Sequence, residues 1–371
     1  MKVYFGAAVT IDRATMLPVY QEIVTEIKRL GHSLVNEHIV DPDMPVGDNL
    51  SATALYKRET LLIDKAQAVI VDVTIPSWGT AFLMEHAIST DKPVLALYYK
   101  DADKPLPMMI EGHPEVYVAH YSKSNIRTVL KKNLDYFVVM SKRKGKLVVV
   151  DGTDGSGKGT QTELLLKYLE NKQIEHKYID FPRYYTSFHG KMVGRYLTGE
   201  FGSMESASPY LSSLFYAMDR LTARDELVDW LEEGNLVVAN RYTTSSMAFQ
   251  TARVEKGQQE EFLRWLYAME YKEHKLPKED LVIFLYVPTE ISQQLIEQKE
   301  KREYAQGQIK DIHEVDVEYQ NKVLELYLEL SKKYKHWEVV ECVDSKGKLY
   351  STETIHKKII KLLKKKEILQ T

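Results

Sequence analysis

The sequence predicts an α/β protein with two three-layer domains, each built on a parallel five-stranded sheet. Along the whole chain, apolar β-rich runs alternate with helical patterns, which is typical of parallel sheets covered by helices. The length of 371 residues favours two domains over one. A content of 44% hydrophobic and 28% charged residues is that of an ordinary globular protein.

Ten apolar runs are the expected strands. They lie at residues 3–9, 33–37, 68–73, 93–99 and 115–120 in the first half, and at 147–150, 176–180, 235–239, 281–287 and 337–343 in the second. Between the first two runs, Val19, Ile23 and Ile27 recur at helical spacing and are followed by Leu30, which predicts one apolar helix face. Each half therefore supplies enough strands for a sheet of its own.

A short basic segment separates the two halves. We predict domains at 1–140 and 147–371, joined by residues 141–146, a basic run that follows an expected helix near 125–136 and is expected to be a solvated linker. Residues 357–366 are both basic and amphipathic. We expect them to form a last helix packed on its own domain, with a membrane-surface or partner helix as the alternative.

Charge and cysteine content argue against several classes of function. The 50 Lys and Arg against 53 Asp and Glu give a formal net charge of −3, which disfavours nucleic acid as a partner but not small anions. The single cysteine, Cys342, cannot form an intramolecular disulfide, and no Cys/His cluster has zinc spacing. Because neither a signal peptide nor a membrane span is expected, we predict a cytoplasmic protein without membrane association.

The strongest chemical signal is a glycine-rich loop between an expected strand and an apolar-periodic helix. The loop comprises Gly152, Thr153, Asp154, Gly155, Ser156, Gly157, Lys158, Gly159 and Thr160. Such a loop turns backbone N–H groups inward, and the following helix presents its positive end at the same point. Lys158 adds a mobile cation for β- and γ-phosphates, so we expect the loop to bind the phosphates of ATP.

One departure from the usual loop pattern concerns the metal. The Ser or Thr that normally follows the lysine and offers a hydroxyl to magnesium is replaced by Gly159. Asp154 is therefore the candidate ligand of Mg²⁺, directly or through water, with a loop-capping carboxylate as the alternative.

Segments after the loop carry a family resemblance. They are Phe181-Pro182-Arg183-Tyr184, Phe215-Tyr216-Ala217-Met218-Asp219-Arg220, the run 240–249 that begins Asn240-Arg241-Tyr242, and Leu276-Pro277-Lys278. With the loop, they resemble thymidylate kinase from about residue 146 to the C-terminal helix. The resemblance implies a P-loop nucleoside monophosphate kinase fold that uses ATP, dTMP and magnesium. Two positions differ, since the family commonly has Asp at Asn240 and usually Phe at Tyr216.

Three cations are expected to meet at one edge of the second sheet. Ligands of a parallel α/β sheet lie at the carboxyl ends of its strands, where Lys158, Arg183 and Arg241 all fall. Phosphoryl transfer requires the donor and the acceptor to be held in line while the developing charge is neutralised. Loss of either arginine is therefore expected to slow the reaction more than about tenfold.

The resemblance also implies roles for side chains around the acceptor. Tyr216 would stack on the thymine ring, Arg220 would reach a base-edge carbonyl, and Phe249 would lie beneath the sugar, with Ser246 also in contact with the substrate. The segment 299–310 would close over the phosphates as a lid, with Arg302 as the candidate phosphate contact and a solvated helix face as the alternative. Other pyrimidine acceptors, dUMP or dCMP, and a nucleotide-binding sensor remain as alternative functions.

The first half resembles a different group. Tyr4-Phe5-Gly6, Glu59 and the run 69–82, which contains Asp72 and Ser77, are similar to the nucleoside 2-deoxyribosyltransferase family, which includes 2′-deoxynucleoside 5′-monophosphate N-hydrolases. The resemblance implies a flavodoxin-like domain with a pocket formed by Tyr4, Gly6, Glu59, Asp72 and Ser77. Members of both related families commonly form dimers, so a homodimer is a candidate assembly.

The nucleophile of that chemistry is missing from the expected position. The family's glutamate should follow Phe82, where this sequence has Leu83, and the next acid, Glu85, lies about 200° further around a helix. Ala8 and Thr10 replace the serine and arginine of the monophosphate hydrolases. We therefore expect a catalytically degenerate domain that binds nucleotide, regulates or is structural, with glycosidic cleavage in a bifunctional protein as the alternative.

Overall fold

The computed structural model describes residues 1–11, 13–43, 50–113, 115–202, 207–297 and 317–369. The chain divides into two compact units, Met1–Lys142 and Arg143–Thr371. This division falls inside the segment 141–146.

The first unit is a parallel sheet with helices on both faces. Its strands are β1 (Lys2–Gly6), β2 (Ser33–Leu34), β3 (Ala68–Asp72), β4 (Val94–Tyr99) and β5 (Val116–Tyr121). Its helices are α1 (Arg13–Arg29), α2 (Ala52–Lys65), α3 (Trp78–Ser89), α4 (Met108–Glu111) and α5 (Ile126–Lys142). The strand order β2-β1-β3-β4-β5, with every pairing parallel, is that of a flavodoxin-like fold.

Alternation along the strands explains the three layers of this unit. In β1, Val3 and Phe5 face a core that contains Ile23 of α1 and Phe137 of α5. Tyr4 faces a second core with residues of α2 and α3. Successive side chains of a strand point to opposite faces, so a sheet covered on both sides needs apolar residues throughout.

The sequence places the five strands of this unit correctly but overestimates β2. Only Ser33–Leu34 pairs with β1, and the chain then enters a short 3₁₀ helix at Glu37–Val40. After Leu34 the side chain of Asn36 takes the place of backbone pairing with β1, because its Oδ1 accepts from the Phe5 N–H at 3.0 Å and its Nδ2 donates to the Phe5 carbonyl oxygen at 2.6 Å.

The second unit repeats the three-layer plan with a different strand order. Its strands are β6 (Lys146–Asp151), β7 (His176–Asp180), β8 (Leu236–Asn240), β9 (Leu281–Tyr286) and β10 (Trp337–Glu341). Its helices are α6 (Lys158–Asn171), α7 (Phe188–Leu197), α8 (Pro209–Leu221), α9 (Arg224–Glu233), α10 (Thr243–Phe249), α11 (Gln259–Tyr267), α12 (Thr289–Glu297), α13 (Val317–Lys333) and α14 (Thr352–Lys365). A π-helical segment, Ala268–Glu273, continues α11. The order is β10-β9-β6-β8-β7, all parallel.

The central strand β6 positions the glycine-rich loop. Its residues alternate between a core with α9, α10 and α13 and a core with α6 and α14. Ile355, Ile359 and Leu363 of α14 are buried in the latter. The expected last helix packed on its own domain is therefore confirmed. Within the part of the chain that the structure describes, no helix is both long and apolar enough to cross a bilayer.

Arg143 does not behave as a charge of a solvated linker. Its side chain is 12% exposed, pairs with Asp280, and donates from Nη1 to the carbonyl oxygen of Lys278 at 2.6 Å. The expectation of a solvated linker is wrong at this residue, because Asp280 supplies a counter-charge on the second unit.

Candidate functional site

The glycine-rich loop runs from the end of β6 to the start of α6. Gly155 has a φ of 76°, and a Cβ placed there would lie 2.3 Å from the carbonyl oxygen of Ser292 in α12. A larger residue would therefore be excluded both by backbone conformation and by contact. This close approach fixes the shape of the loop against α12.

Lys158 begins α6 and folds back over the loop. Its Nζ donates to the carbonyl oxygens of Gly152 at 3.0 Å and Thr153 at 2.7 Å, and the residue is 7% exposed. The ammonium group thus lies at the N-terminal end of a helix, where backbone N–H groups also favour an anion.

A cavity of about 280 Å³ opens beside the loop, at the carboxyl ends of β6, β7 and β8. Ten residues expected at the site line it: Asp154, Gly155, Gly157, Lys158, Gly159, Tyr216, Arg220, Arg241, Ser246 and Phe249. Five other expected residues are described by the structure but do not line the cavity: Gly152, Thr153, Ser156, Thr160 and Arg183. Arg302 and the rest of the expected lid lie outside the described residues.

Arg241 joins two parts of the cavity wall. Its Nη2 donates to Oδ1 of Asp154, and its guanidinium carbon lies 5.1 Å from the centre of the Phe249 ring. Burial works against the charge, yet the carboxylate of Asp154 raises the pKa of Arg241 above its ordinary value. Arg241 also has a φ of 62°, a backbone conformation that is uncommon outside glycine and recurs at functional sites.

Asp151, the last residue of β6, anchors the start of the loop. This fully buried carboxylate accepts hydrogen bonds from Ser245 Oγ at 2.8 Å, Tyr327 Oη at 2.7 Å and the Gly152 N–H at 2.9 Å, and also from Thr244. The loop is thereby tied to α10 and α13. Sequence reasoning missed Asp151, although its position directly before the first glycine was a usable signal.

Arg183 is held at the edge of the cavity rather than in its wall. Its backbone N–H and Nε donate to the buried carboxylate of Asp219 at 2.8 and 3.2 Å, and its Nη2 donates to the Asp219 carbonyl oxygen at 2.7 Å. Pro182 and Tyr184, on either side, line the cavity instead. Arg183 follows the end of β7 and so lies at the edge of the cavity. Its guanidinium, however, is hydrogen-bonded to Asp219.

Arg220 is the most deeply buried cation of the site. Its side chain is 3% exposed and forms an ion pair with Glu270, whose side chain is 2% exposed. Ser246 Oγ accepts from its Nη2 at 2.8 Å. Sequence reasoning missed Glu270, since it lies 50 residues from Arg220 with no local pattern to mark it.

Asp180 adds a carboxylate that the sequence analysis did not assign to the site. It lines the cavity at the end of β7, and its Oδ1 accepts from Asn240 Nδ2 at 2.9 Å. Asp180 is partly accessible to solvent, yet partial burial by the surrounding protein raises its pKa to about 6. The positive charges of Arg241 and Lys158 act in the opposite direction and lower the pKa.

In the first unit, the structure brings Tyr4 and Glu59 into contact. Tyr4 Oη and Arg58 Nε donate to the Glu59 carboxylate at 2.6 and 2.8 Å, and His38 Nε2 lies 3.4 Å from it. Burial would favour the neutral acid, yet these hydrogen bonds lower the pKa of Glu59 to about 2. Glu59 is therefore a well-satisfied anion.

The other expected residues of the first pocket have structural partners within the first unit. Asp72 ends β3 and accepts from Tyr121 Oη at 2.5 Å, and burial raises its pKa. Gly6 ends β1, where a Cβ would lie 3.1 Å from Val71 Cγ1. Ser77 caps α3, because its Oγ accepts from the Thr80 N–H at 3.3 Å.

Leu83 and Glu85 both lie in α3, as the sequence analysis expects. Leu83 is partly buried and packs against the core that contains Met84 and Ala87. Glu85 is 70% exposed, with Oε2 4.0 Å from Nε2 of His113. Leu83 thus supplies no carboxylate, and the carboxylate of Glu85 is exposed.

Comparisons with known proteins identify the second unit. The family model described as thymidylate kinase matches residues 150–359, beyond the whole of the first unit. Thymidylate kinase of Plasmodium falciparum (isolate 3D7) is 30% identical over 220 residues, which cover 59% of this chain and 90% of that protein. A probable thymidylate kinase of Thermococcus kodakarensis is 30% identical over 221 residues, covering 58% of this chain and 96% of that protein.

A solved structure of thymidylate kinase from Candida albicans matches with a TM-score of 0.47 and 22% identity, covering 61% of this chain and 93% of that chain. The family model takes in more than half of the chain, and its matched residues include the glycine-rich loop and Arg241. The chain therefore belongs to the thymidylate kinase family.

Proposed function

We propose that this protein transfers the γ-phosphoryl group of ATP to dTMP, giving dTDP and ADP. One observation carries the proposal: the phosphate-loop lysine, Arg241 and the aromatic residues Tyr216 and Phe249 line a single cavity. A kinase for a nucleoside monophosphate needs these two kinds of wall together, one for phosphates and one for a base and sugar. A sensor that binds one nucleotide has no need of a second phosphate-binding cation such as Arg241 beside the loop.

The cations of the cavity suit transfer between two anions. We assign Lys158 and the N-terminal end of α6 to the phosphates of ATP, and Arg241 to the acceptor phosphate. An incoming phosphate would compete with Asp154 for the Arg241 guanidinium, since the two residues are paired. Holding donor and acceptor in line and neutralising the charge that spreads between them is the main contribution a protein makes to this reaction.

The residues near the loop fit a magnesium ion. Asp154 offers a carboxylate at the cavity wall, next to the part of the cavity that we assign to the phosphates of ATP. Magnesium is ordinarily bound by one or two carboxylates together with substrate phosphates. We propose Asp154 as its protein ligand, with the ion supplying neutralisation of phosphate charge.

The acceptor side of the cavity suits a pyrimidine deoxynucleotide. Tyr216 and Phe249 provide aromatic surfaces, and Ser246 and Arg220 provide the polar groups between them. We propose dTMP as the preferred acceptor, with dUMP or dCMP as the alternatives. The donor-only guanidinium of Arg220 favours a carbonyl over an amino group at the ring edge that it meets, and thymine and uracil differ from cytosine in this way at C4.

A coupled ADP-release assay with dTMP, dUMP, dCMP, dAMP and dGMP tests this function. We expect dTMP to give the highest kcat/KM, and Lys158→Ala to abolish the signal because the loop loses its cation. A chain that none of the five acceptors stimulates would not be a kinase of this type, and a preference for dCMP would overturn the base assignment.

For the first unit, we propose a nucleotide-binding, regulatory or structural role in a domain related to nucleoside 2-deoxyribosyltransferases. The packing of Leu83 against the core and the exposure of Glu85 support the loss of the nucleophile. The Lys158→Ala chain, incubated with deoxynucleoside monophosphates and examined by chromatography, should release no free base. Release of base would instead support a bifunctional protein with N-glycosidase activity.

We further propose a cytoplasmic homodimer. The support for the dimer is the resemblance of both units to families whose members commonly dimerise. Analytical ultracentrifugation at micromolar concentration should give about twice the mass of the chain, and a monomer at that concentration would contradict the proposal.

A further inference from the structure

The interior of the second unit contains an ion pair whose role the kinase reaction leaves open. Arg220 lies on α8 and Glu270 on the π-helical segment Ala268–Glu273, and both side chains are almost completely buried. Buried charges are costly unless they are paired, and a pair is often no more stabilising than apolar residues of the same size. Stability alone is therefore a weak reason for this pair.

The guanidinium of Arg220 is almost completely saturated. Its Nε donates to Oε2 of Glu270 at 3.3 Å, and its Nη2 donates both to Oε1 of Glu270 and to Ser246 Oγ. Its Nη1 donates to the carbonyl oxygen of Tyr242 at 3.3 Å. Four of its five N–H groups thus have partners among the described residues, which leaves a single N–H, on Nη1.

The main chain at Met269 and Glu270 is held by hydrogen bonds from the residues that follow. The Leu276 N–H donates to the Glu270 carbonyl oxygen at 3.1 Å, and the His274 N–H donates to that of Met269 at 2.9 Å. The adjacent Tyr271 donates from Oη to Glu279 at 2.8 Å. π-Helical segments are rare and recur at functional sites, and here the segment places a carboxylate in a position fixed by its neighbours.

We propose that Glu270 is a positioning residue for the base. It holds the guanidinium of Arg220 so that the one remaining Nη1–H is offered to a carbonyl oxygen of a pyrimidine ring, and it cancels the charge that would otherwise attract phosphate. This inference rests on the proposed kinase function.

The electrostatics of the cavity explain why such a residue is needed. Arg220 lines the same cavity as Lys158 and Arg241, the two cations that we assign to the anionic phosphates. A free guanidinium would compete for those phosphates, whereas one paired with Glu270 is neutral overall and can act only through hydrogen-bond direction. A ring amino group opposite the remaining N–H would leave two donors facing each other, so the site rejects such a base.

Two substitutions in the full chain test the proposal. Glu270→Gln removes the charge at nearly constant volume, and Glu270→Asp keeps the charge but withdraws the carboxylate from Arg220. For both we expect KM for dTMP to rise about tenfold with kcat changed less than about threefold, because the lost interaction acts in binding. The ratio of kcat/KM for dTMP to that for dCMP should fall at least about tenfold.

Glu200→Gln is the matched control. It breaks a carboxylate–arginine pair with Arg195 whose side chains are 47% and 51% exposed, so both kinetic constants should stay at their original values. Thermal unfolding identifies a variant that fails to fold, in which case the other Glu270 substitution decides.

The outcomes separate this proposal from the proposed function. If the unaltered chain phosphorylates dTMP and both folded Glu270 variants keep the original KM and dTMP-to-dCMP ratio, Glu270 has no positioning role. If the unaltered chain does not phosphorylate dTMP, the proposed function fails, and calorimetric Kd values for dTMP and dCMP replace the kinetic ratio. Absence of dTMP binding by the unaltered chain would overturn both.

Discussion

Arg241 donates a hydrogen bond to Oδ1 of Asp154, and this pair links the end of β8 to the glycine-rich loop. The loop and Arg241 come from distant parts of the chain, and the carboxylate of Asp154 in the loop connects them. Since β6 and β8 are adjacent in the sheet, their carboxyl ends bring the two residues together. The part of the cavity assigned to ATP and the part assigned to the acceptor are thereby coupled.

The first prediction concerns the geometry of this pair. In Arg241→Lys, the charge remains but the planar fork that can bind Asp154 and a phosphate is lost. We expect kcat/KM for dTMP to fall more than about tenfold, measured by ADP release. Arg195→Lys, at an exposed pair, is the control, and equal activity of the two variants would contradict the assignment of Arg241 to the acceptor phosphate.

The second prediction separates Arg183 from Arg241. Asp219 is completely buried and accepts hydrogen bonds from Arg183 and Ser187, so Arg183→Ala leaves a buried carboxylate with fewer donors. We expect the free energy of unfolding of the second unit to fall by about 2–4 kcal/mol. The value of kcat/KM for dTMP should fall less than in Arg241→Lys, because Arg183 is not part of the cavity lining among the described residues.

Urea unfolding followed by tryptophan fluorescence measures this loss, because Trp230, Trp265 and Trp337 all lie in the second unit. Arg224→Ala is the control, since its ion-pair partner Asp225 is 84% exposed and its other hydrogen bond, to the carbonyl oxygen of His274, is 3.3 Å long. Equal stability of the two variants would show that Asp219 does not depend on Arg183.

These residues also show what sequence reasoning can reach. Lys158 and Arg241 were predictable because each directly follows a strand or its loop, so chain position determines where the side chain lies. Glu270 and Asp219 could not be predicted as site residues. Each is paired with an arginine that is far away in sequence, and only tertiary packing brings the two together. The same limit applies to Arg183, whose backbone position was predicted correctly but whose guanidinium is turned by Asp219.

The third prediction concerns the first unit and acid. The pKa of Glu59 is about 2 in the folded chain, below its ordinary value of 4.5, so between these values this carboxyl binds more protons in the unfolded chain. The stability that Glu59 contributes is complete above pH 4.5 and is lost as the pH falls towards 2. Glu59→Gln should therefore cost about 3 kcal/mol at pH 7 and only about 1 kcal/mol at pH 3.

Urea titrations followed by circular dichroism at the two pH values measure this difference. Glu85→Gln, which changes a 70% exposed carboxylate of the same unit, should have little effect at either pH. A cost for Glu59→Gln that is the same at pH 7 and pH 3 would mean that the hydrogen bonds from Tyr4 and Arg58 do not stabilise the charged form.

The last prediction concerns Asp180, whose pKa is raised from 3.8 to about 6. Between these values the Asp180 carboxyl binds more protons in the folded than in the unfolded chain, so the stability that it contributes falls as the pH rises through this window and then stays constant. Asp180→Asn removes the effect. It should raise the melting temperature by about 1–3 °C at pH 8 and leave it unchanged near pH 4, a small gain because solvent screens the carboxylate.

The same substitution should change binding of the acceptor with the same pH dependence. Above pH 6 the Asp180 carboxylate is ionised near Lys158 and Arg241, where it opposes an incoming phosphate. KM for dTMP should therefore be about three- to tenfold lower in Asp180→Asn than in the unaltered chain at pH 8, and nearly equal in the two at pH 5. A ratio of KM values that does not change between pH 5 and pH 8 would mean that the charge of Asp180 is not felt by the substrate phosphate.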